Sequence, residues 1–190
     1  MTKNELRILY KEKRQLLNDT VCRSYDEALL GDLQKMDWSG VNYVHIYLPM
    51  DGAKEPDTLG FKKWLEKLLP QVHFVISRSD FRNHEMIHYL WDEHTVLEVN
   101  KWGILEPIGG CLVEENALDV VLVPLLVMDQ EGNRVGYGKG FYDRFLAKCS
   151  PTVRTIGLTY FEPVERISDV GEWDVRLQYC ISPTRTYRFI

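Results

Sequence analysis

The 190-residue sequence has no apolar run that approaches the roughly 18 residues needed to cross a membrane. Its N-terminal residues are charged from Lys3 onward and lack the apolar stretch of a secretory signal. No CxxC pair occurs among the four cysteines, which argues against a zinc site and against a disulfide framework. We therefore expect a cytoplasmic protein with no membrane partner.

The sequence also has no excess of positive charge, since its formal net charge is -5. This balance argues against a general nucleic-acid binder, although a local basic patch can still hold a small anion. The chain has neither internal repeats nor low-complexity linkers. With 45% apolar and 12% aromatic residues it can form a proper core, and we predict one domain over residues 1–190.

The hydrophobic pattern predicts an α/β fold. Thr2 and Glu5 have the spacing of a capping box, which predicts a helix from about residue 3. Further helices are expected over residues 21–36 and after Asp57, whereas residues 100–116 look like a loop. Apolar or β-branched runs predict strands at 43–49, 72–77, 85–91, 119–129 and 153–160. Helices that alternate with buried strands favour a mainly parallel sheet flanked by helices.

A glycine-rich loop lies between the predicted strand at 119–129 and a helix expected over about 140–148. Its glycines, Gly136, Gly138 and Gly140, would let backbone N–H groups approach phosphate oxygens closely. Arg134 and Lys139 add positive charge beside them. Helix N-termini that follow strands also favour anions. The loop therefore reads either as a phosphate site or as an ordinary connection between strand and helix.

The two common nucleotide motifs do not fit this loop. A Walker P-loop needs glycine where Asn133 stands, and a dinucleotide fingerprint needs glycine where Phe141 stands. Two carboxylates, Asp143 in the first turn of the helix and Asp174 in "EWDVRL", are candidates for holding Mg²⁺ against bound phosphates. An aspartate at a helix start is equally favoured by the helix dipole, so the spacing alone leaves the choice open.

Other candidates have ordinary explanations. The basic side chains at helical spacing in the first helix, Lys3, Arg7, Lys11 and Arg14, resemble a solvated helix face. His45 and His73 fall in predicted strands and are expected to be structural, and we assign no ligand role to the other histidines.

The whole set of motifs resembles one family. "GNRVGYGKGFYDRFL" is similar to the GxRLGxGxGYYDxxL signature of the 5-formyltetrahydrofolate cyclo-ligases, also called methenyltetrahydrofolate synthetases. "KNELR" at 3–7 matches the family's KxxLR, "EPDT" at 55–58 its ExxT, and "WGILEP" at 102–107 its GIxEP. "EWDVRL" resembles its HDVxVD, although Trp173 replaces the histidine and Gln178 stands at the second aspartate.

The resemblance implies an enzyme that uses Mg-ATP to convert 5-formyltetrahydrofolate into 5,10-methenyltetrahydrofolate with release of ADP and phosphate. It implies that the formyl oxygen attacks the γ-phosphate of ATP and that N10 then closes the ring. A fold of the sugar-isomerase and CoA-transferase type is expected. The resemblance also implies a folate substrate, which can carry several glutamates, and no nucleic acid. We expect a monomer.

The resemblance also assigns residues. It gives catalytic roles to Lys139 and Arg134, magnesium to Asp143 and Asp174, and a surface position to Lys11 and Arg14. The ATP contacts it implies are Lys3, Arg7, Arg134, Val135, Gly136, Tyr137, Gly138, Lys139, Gly140, Phe141 and Tyr142. The folate contacts it implies are Leu48, Glu55, Trp102, Tyr137, Gly138, Lys139, Gly140 and Phe141.

Two other classes of function remain open at this point. One is a binding module for nucleotide or folate that has kept the loop without turnover. The other is a relative of the sugar-phosphate isomerases or CoA-transferases, which needs a base or a nucleophilic carboxylate and no ATP. Glu55 and Glu106 are the loop glutamates that such chemistry would use.

Overall fold

The computed structural model describes residues 1–189, which form four α-helices, one short 3-10 helix and eleven strands. The helices are α1 (Lys3–Leu16), α2 (Asp19–Gln34), α3 (Thr58–Leu68) and α4 (Phe141–Lys148), with the 3-10 helix at Glu115–Ala117. The strands are β1 (Tyr43–His45), β2 (His73–Asp80), β3 (Glu85–Leu90), β4 (Leu97–Val99), β5 (Leu105–Pro107), β6 (Val120–Pro124), β7 (Val127–Met128), β8 (Arg134–Val135), β9 (Arg154–Leu158), β10 (Tyr179–Ile181) and β11 (Thr186–Arg188).

Seven strands form one sheet in the order β11-β10-β9-β6-β1-β2-β3. The five inner strands run parallel, and β3 and β11 add antiparallel edges, so the predicted mainly parallel sheet is confirmed. The narrower prediction of a sugar-isomerase and CoA-transferase type of layer fold stays a prediction. From β1 the chain adds β2 and β3 on one side, then crosses to β6 on the other. The switch point between β1 and β6 is where open α/β sheets bind ligands, at the carboxyl ends of the strands.

Both faces of the sheet are covered, because alternate side chains of each strand point to opposite sides. Val120 and Leu122 pack with α2 and α3 on one face, whereas Val121 and Val123 pack with α4 on the other. This burial explains why the strand sequence is apolar without alternation. Within residues 1–189, no helix combines the length and apolar character required to cross a bilayer.

Helix α1 covers a separate patch of core beside the sheet. Its capping box is present, with Thr2 and Glu5 bonded to each other as predicted. Leu6 is fully buried against the small antiparallel β7–β8 hairpin, where it packs with Leu126 and Val135. This packing fixes the start of α1 beside the glycine loop that follows β8.

Several predicted boundaries were wrong for physical reasons. The apolar run at 119–129 begins as a strand, as predicted, and this strand ends at Pro124, because proline has no N–H to continue the ladder. The strand predicted over 43–49 ends at His45, and the region 100–116, predicted as a loop, contains β5 and the 3-10 helix. Helix α2 begins two residues earlier than predicted, at Asp19, where Asn18 accepts a hydrogen bond as its N-cap.

Candidate active site

One cleft of about 580 Å³ opens at the carboxyl ends of β1 and β6. It brings together nearly all of the residues predicted for the site, although they come from distant parts of the chain. Those that line it are Lys3, Arg7, Leu48, Glu55, Trp102, Arg134, Gly136, Tyr137, Gly138, Lys139, Gly140, Phe141, Tyr142, Asp143 and Asp174. Val135 is the exception, because its side chain is fully buried under α1 and does not line the cleft.

The glycine loop is held by Arg7 from α1. Arg7 Nε donates a hydrogen bond to the carbonyl oxygen of Gly136 over 3.0 Å. Gly138 has a positive φ of 87°, and a Cβ added there would lie only 2.8 Å from Arg7 Cζ. Glycine is therefore needed at 138 both for the backbone conformation and for the close approach of the guanidinium.

The loop ends at the N-terminus of α4, where the structure offers donors for an anion. Gly140, with φ of 69°, is the N-cap and supplies no side-chain acceptor for the first-turn amides. Lys139 is exposed and lines the cleft, and its Nζ has no hydrogen bond or ion pair with any of residues 1–189. Free amides and an unpaired ammonium group together favour phosphate at this position.

The two predicted metal ligands are each bonded to a cation. Arg134 donates to Asp143 Oδ1 over 2.7 Å and also to the carbonyl of Val175. Lys3 forms an ion pair with Asp174 Oδ2, which also accepts from the amide of Gly171 at 2.6 Å. These contacts neutralise both carboxylates while they line the cleft.

The carboxylates fit magnesium only together with phosphate. Asp143 Oδ2 and Asp174 Oδ1 accept no hydrogen bond from any described residue, so one oxygen of each remains open. Among residues 1–189, no three carboxylate, histidine or cysteine side chains cluster as a metal cage. Mg²⁺ commonly binds through one or two carboxylates completed by phosphate oxygens and water, and this donor set matches that pattern.

Beside the glycine loop, one wall of the cleft is acidic and aromatic. Glu55 is only 9% exposed, and its Oε1 accepts a hydrogen bond of 2.7 Å from the hydroxyl of Tyr137. Its Oε2 accepts from the amide of Met50 over 2.8 Å. Burial, assisted by the negative charge of Glu55, raises the pKa values of Tyr137 and Tyr142 well above the usual range. Both phenols are therefore neutral hydroxyl groups at neutral pH.

Trp102 stands at the rim of this wall and is 60% exposed. Its ring lies against Phe81, with a centroid distance of 5.4 Å and an interplanar angle of 34°. Phe81 in turn meets the edge of Phe141 at 5.3 Å. The three rings give the cleft an apolar end where a planar ligand can stack.

The prediction that Arg14 stays on the surface was wrong. Arg14 is 4% exposed and donates a hydrogen bond to the hydroxyl of Tyr137. Lys11 is exposed as predicted, yet it lines the cleft, and its Nζ lies 5.2 Å from the centroid of the Tyr137 ring. Spacing gives a signal in retrospect, because residues 7, 11 and 14 share one face of a helix.

A buried chain of polar groups under the cleft was also missed. His45 Nε2 lies 2.7 Å from Ser77 Oγ, which lies 2.8 Å from His88 Nδ1. Burial, opposed by Glu115 and assisted by Lys148, lowers the pKa of His88 to about 4. His45 lies in a strand, as predicted, and it also lines the cleft. The prediction of a structural role did not include its contact with Ser77. Residues on three neighbouring strands, β1, β2 and β3, meet here, which single-sequence periodicity cannot show.

Comparison with known proteins places the chain in a family. A sequence model of the 5-formyltetrahydrofolate cyclo-ligase family matches residues 1–183. The 5-formyltetrahydrofolate cyclo-ligase of Mycolicibacterium smegmatis is 28% identical over 188 residues, which cover 97% of this chain and 95% of the relative. The enzyme of the same name from Haemophilus influenzae is 30% identical over 141 residues, covering 70% of this chain and 72% of the relative.

Solved structures agree with the sequence relatives. The NMR structure of Aquifex aeolicus 5,10-methenyltetrahydrofolate synthetase has a TM-score of 0.81 and 27% identity, covering 100% of this chain and 93% of that one. The synthetase of Mycoplasma pneumoniae, at 24% identity and a TM-score of 0.76 over 95% of this chain and 98% of that one, shares the fold. With the motifs in place around one cleft, the chain belongs to the 5-formyltetrahydrofolate cyclo-ligase family of enzymes.

Proposed function

We propose that the protein converts 5-formyltetrahydrofolate into 5,10-methenyltetrahydrofolate and consumes Mg-ATP, releasing ADP and phosphate. The observation that supports this most strongly is that a single cleft combines a cationic glycine loop with a buried acidic and aromatic wall. The first is suited to a triphosphate and the second to a pterin. Membership of the cyclo-ligase family supplies the chemical link between them.

The triphosphate is proposed to lie along the glycine loop, with ATP acting as a co-substrate. The amides at the start of α4 and the ammonium group of Lys139 would bind its terminal phosphates. Arg7 from α1 bonds the same loop, and Lys3 from α1 lines the cleft beside Asp174, so both add positive charge. The unpaired state of Lys139 supports its role, because a cation without an internal partner is available for the ligand.

The pterin is proposed to bind at the acidic and aromatic wall formed around Glu55. The Glu55 carboxylate has fixed orientation and accepts two hydrogen bonds, which leaves lone pairs for the N–H edge of the pterin. Leu48 lies on the same wall, and Trp102 with Phe141 would pack on the flat parts of the folate. In this arrangement the formyl group points toward the phosphates.

The proposed reaction has two steps. The formyl oxygen attacks the γ-phosphorus and ADP leaves with the electron pair of the broken P–O bond. N10 then attacks the formyl carbon and loses its proton, and the C–O bond breaks as inorganic phosphate departs. Phosphoryl transfer requires chiefly positioning and neutralisation of charge, which Lys139 and Arg134 supply from this chain.

Asp143 and Asp174 are proposed to hold Mg²⁺ through their open oxygens. The metal would neutralise negative charge on the phosphates when it is bound. The ion pairs with Arg134 and Lys3 orient both carboxylates toward the cleft in the meantime. The donor set therefore suits a metal that arrives with ATP.

A reaction of the isomerase or CoA-transferase type is less well supported. It requires an unengaged carboxylate at the ends of the strands. Glu55 is engaged by Tyr137 and Met50, and Glu106 accepts from the amide of Ser79 over 3.2 Å.

We also propose that the enzyme works as a cytoplasmic monomer and accepts folates with several glutamates. The four cysteines are free thiols, which suits the reducing cytoplasm. Analytical ultracentrifugation at working concentration tests the monomer directly.

The function is tested by incubating the purified protein with 5-formyltetrahydrofolate and recording the methenyl chromophore. We expect product only when both ATP and Mg²⁺ are present. Product formation without ATP, or none with it, would contradict the proposed function.

A further inference from the structure

Three side chains form a connected row across the folate wall of the cleft. Tyr137 donates to Glu55 Oε1 over 2.7 Å, and Arg14 donates to the hydroxyl oxygen of Tyr137. The row links α1, the glycine loop and the segment before α3, which lie far apart in sequence. Glu55 and Arg14 are nearly buried, at 9% and 4% exposure. The row is therefore an internal part of the wall and differs from a flexible surface contact.

Chemistry fixes the direction of both hydrogen bonds. A guanidinium group only donates, so the Tyr137 oxygen accepts from Arg14. The single hydroxyl proton of Tyr137 is then left for Glu55, which accepts. Burial and Glu55 raise the pKa of Tyr137, so this proton stays on the phenol at neutral pH. The donor and acceptor roles in the two hydrogen bonds therefore cannot be exchanged, and Glu55 is the final acceptor.

The row also balances charge. Arg14 has no direct carboxylate partner among residues 1–189, and its Nε is buried without a hydrogen bond. Glu55 likewise lacks a direct cationic partner there, because its oxygens accept from Tyr137 and Met50. The two buried charges therefore compensate each other through one hydroxyl group. Removing Arg14 would leave the carboxylate that faces the ligand without its counter-charge.

Behind Tyr137 there is room for its ring to move. A second hollow of about 280 Å³ lies on this side, lined by Lys11, Glu12, Arg14, Gln15, Ala53 and Tyr137. Tyr137 lines both this hollow and the main cleft. Its position at the cleft wall is therefore not enforced by packing alone, and the hydrogen bond from Arg14 contributes to it beside the bond to Glu55 and the contact of Lys11 with the ring.

We propose that Arg14 is a positioning residue for the folate, acting through Tyr137 to hold the Glu55 carboxylate in the orientation that receives the pterin N–H groups. This role rests on the proposed function of the cleft. It predicts a specific defect: loss of Arg14 should weaken folate binding, whereas the groups proposed to bind the terminal phosphates, Lys139 and the amides at the start of α4, are left in place, so ATP should bind nearly as before.

The experiment compares the wild type with Arg14→Met, Tyr137→Phe and the double variant. For each protein we would measure KM for 5-formyltetrahydrofolate, KM for ATP, kcat, and the folate Kd by calorimetry without ATP. Lys13→Met is the matched control, because it removes the same charge from α1 and does not line the cleft. Thermal unfolding without ligands checks that each variant is folded.

We expect Arg14→Met to raise both the folate KM and the folate Kd about tenfold or more, with KM for ATP and kcat nearly unchanged. Tyr137→Phe should raise the folate KM and Kd to a similar extent, and the double variant should bind folate little worse than either single one, because each substitution breaks the same row. Lys13→Met should match the wild type.

Wild-type folate KM and Kd in Arg14→Met would overturn the inference, and so would full additivity in the double variant. If Arg14→Met does not fold, Tyr137→Phe carries the test, since it removes one hydroxyl group only, and normal folate binding in it would overturn the inference equally. Absence of ATP-dependent product in the wild type would contradict the proposed function instead, because the Kd comparison does not depend on turnover.

Discussion

Arg134 and Asp143 form an ion pair in the lining of the cleft, with Arg134 Nη2 2.7 Å from Asp143 Oδ1. Arg134 is 7% exposed at its side chain, so its charge is largely withdrawn from water. One carboxylate oxygen of Asp143 serves this pair and the amide of Val175, and the other remains open to the cleft. The same pair thus fixes an arginine and a potential metal ligand before any ligand binds.

Asp143→Asn tests the proposed metal ligand. The substitution keeps the shape of the side chain but removes its charge, so we expect the Mg²⁺ concentration for half-maximal turnover to rise about tenfold or more. A titration of activity with Mg²⁺ at fixed ATP measures this. Asp19→Asn is the control, because Asp19 is exposed on α2 and does not line the cleft. An unchanged Mg²⁺ requirement in Asp143→Asn would assign the metal elsewhere, and Asp174→Asn should then show the larger effect.

Lys139→Ala should abolish most turnover and leave the protein folded. The ammonium group of Lys139 has no partner within residues 1–189, so its loss removes no internal contact. The substitution does remove the positive charge that is proposed to lie beside the transferring phosphoryl group. We expect kcat to fall about 100-fold or more with an unchanged melting temperature. Lys148→Ala, at the far end of α4 and away from the residues that line the cleft, is the control. Wild-type turnover in Lys139→Ala would show that Lys139 of the glycine loop does not act on the transferring phosphoryl group.

Gly138→Ala should damage the loop far more than Gly136→Ala. At 138 a methyl group meets Arg7 Cζ at 2.8 Å in a backbone with φ of 87°, and both the strain and the displaced guanidinium act against binding. At 136 nothing lies within 4 Å of an added Cβ. We expect KM for ATP to rise about tenfold or more in Gly138→Ala. Equal effects of the two substitutions would show that Arg7 does not brace the loop.

The buried histidine pair should make stability depend on pH. His88 has its pKa lowered to about 4 in the folded protein, against 6.5 for the free side chain, chiefly because of burial. As the pH falls from about 6.5 to about 4, His88 binds a proton in the unfolded chain but stays neutral in the folded protein. The free energy of unfolding should therefore fall by up to about 3 kcal/mol and then level off. Burial lowers the pKa of His45 too, which adds in the same direction.

Urea unfolding at pH values between about 4 and 7 measures this dependence. His88→Asn should show a shallower fall than the wild type, because the titrating group is gone while a side-chain acceptor for Ser77 remains. Parallel curves for the two proteins would exclude His88 as the group responsible.

The features that sequence predicted are those encoded within one local stretch. The glycine loop, its charges and the helix after it form one contiguous motif, and the apolar run of β6 predicted a buried strand. The capping box at Thr2 and Glu5 is also local, and it was confirmed in detail. Order along the chain was enough to place these elements around one end of the sheet, because parallel strands bring their carboxyl ends together.

The features that were missed depend on contacts across the fold. The role of Arg14 follows from the position of the Tyr137 hydroxyl, which lies 123 residues away in sequence. Val135 looked like part of the loop, yet β8 turns its side chain into the core under α1. Strands β10 and β11 have three residues each, too few for a periodic pattern; β10 pairs with the edge of β9, and β11 pairs in turn with β10.

The central claim is that the formyl oxygen receives the γ-phosphoryl group of ATP. It is tested by supplying 5-formyltetrahydrofolate whose formyl oxygen is ¹⁸O, with Mg-ATP, and analysing the released phosphate by mass spectrometry. Because the C–O bond breaks only after the oxygen has bonded to phosphorus, we predict one labelled oxygen in each phosphate formed with product. Recovery of the label in water, with unlabelled phosphate, would contradict the account.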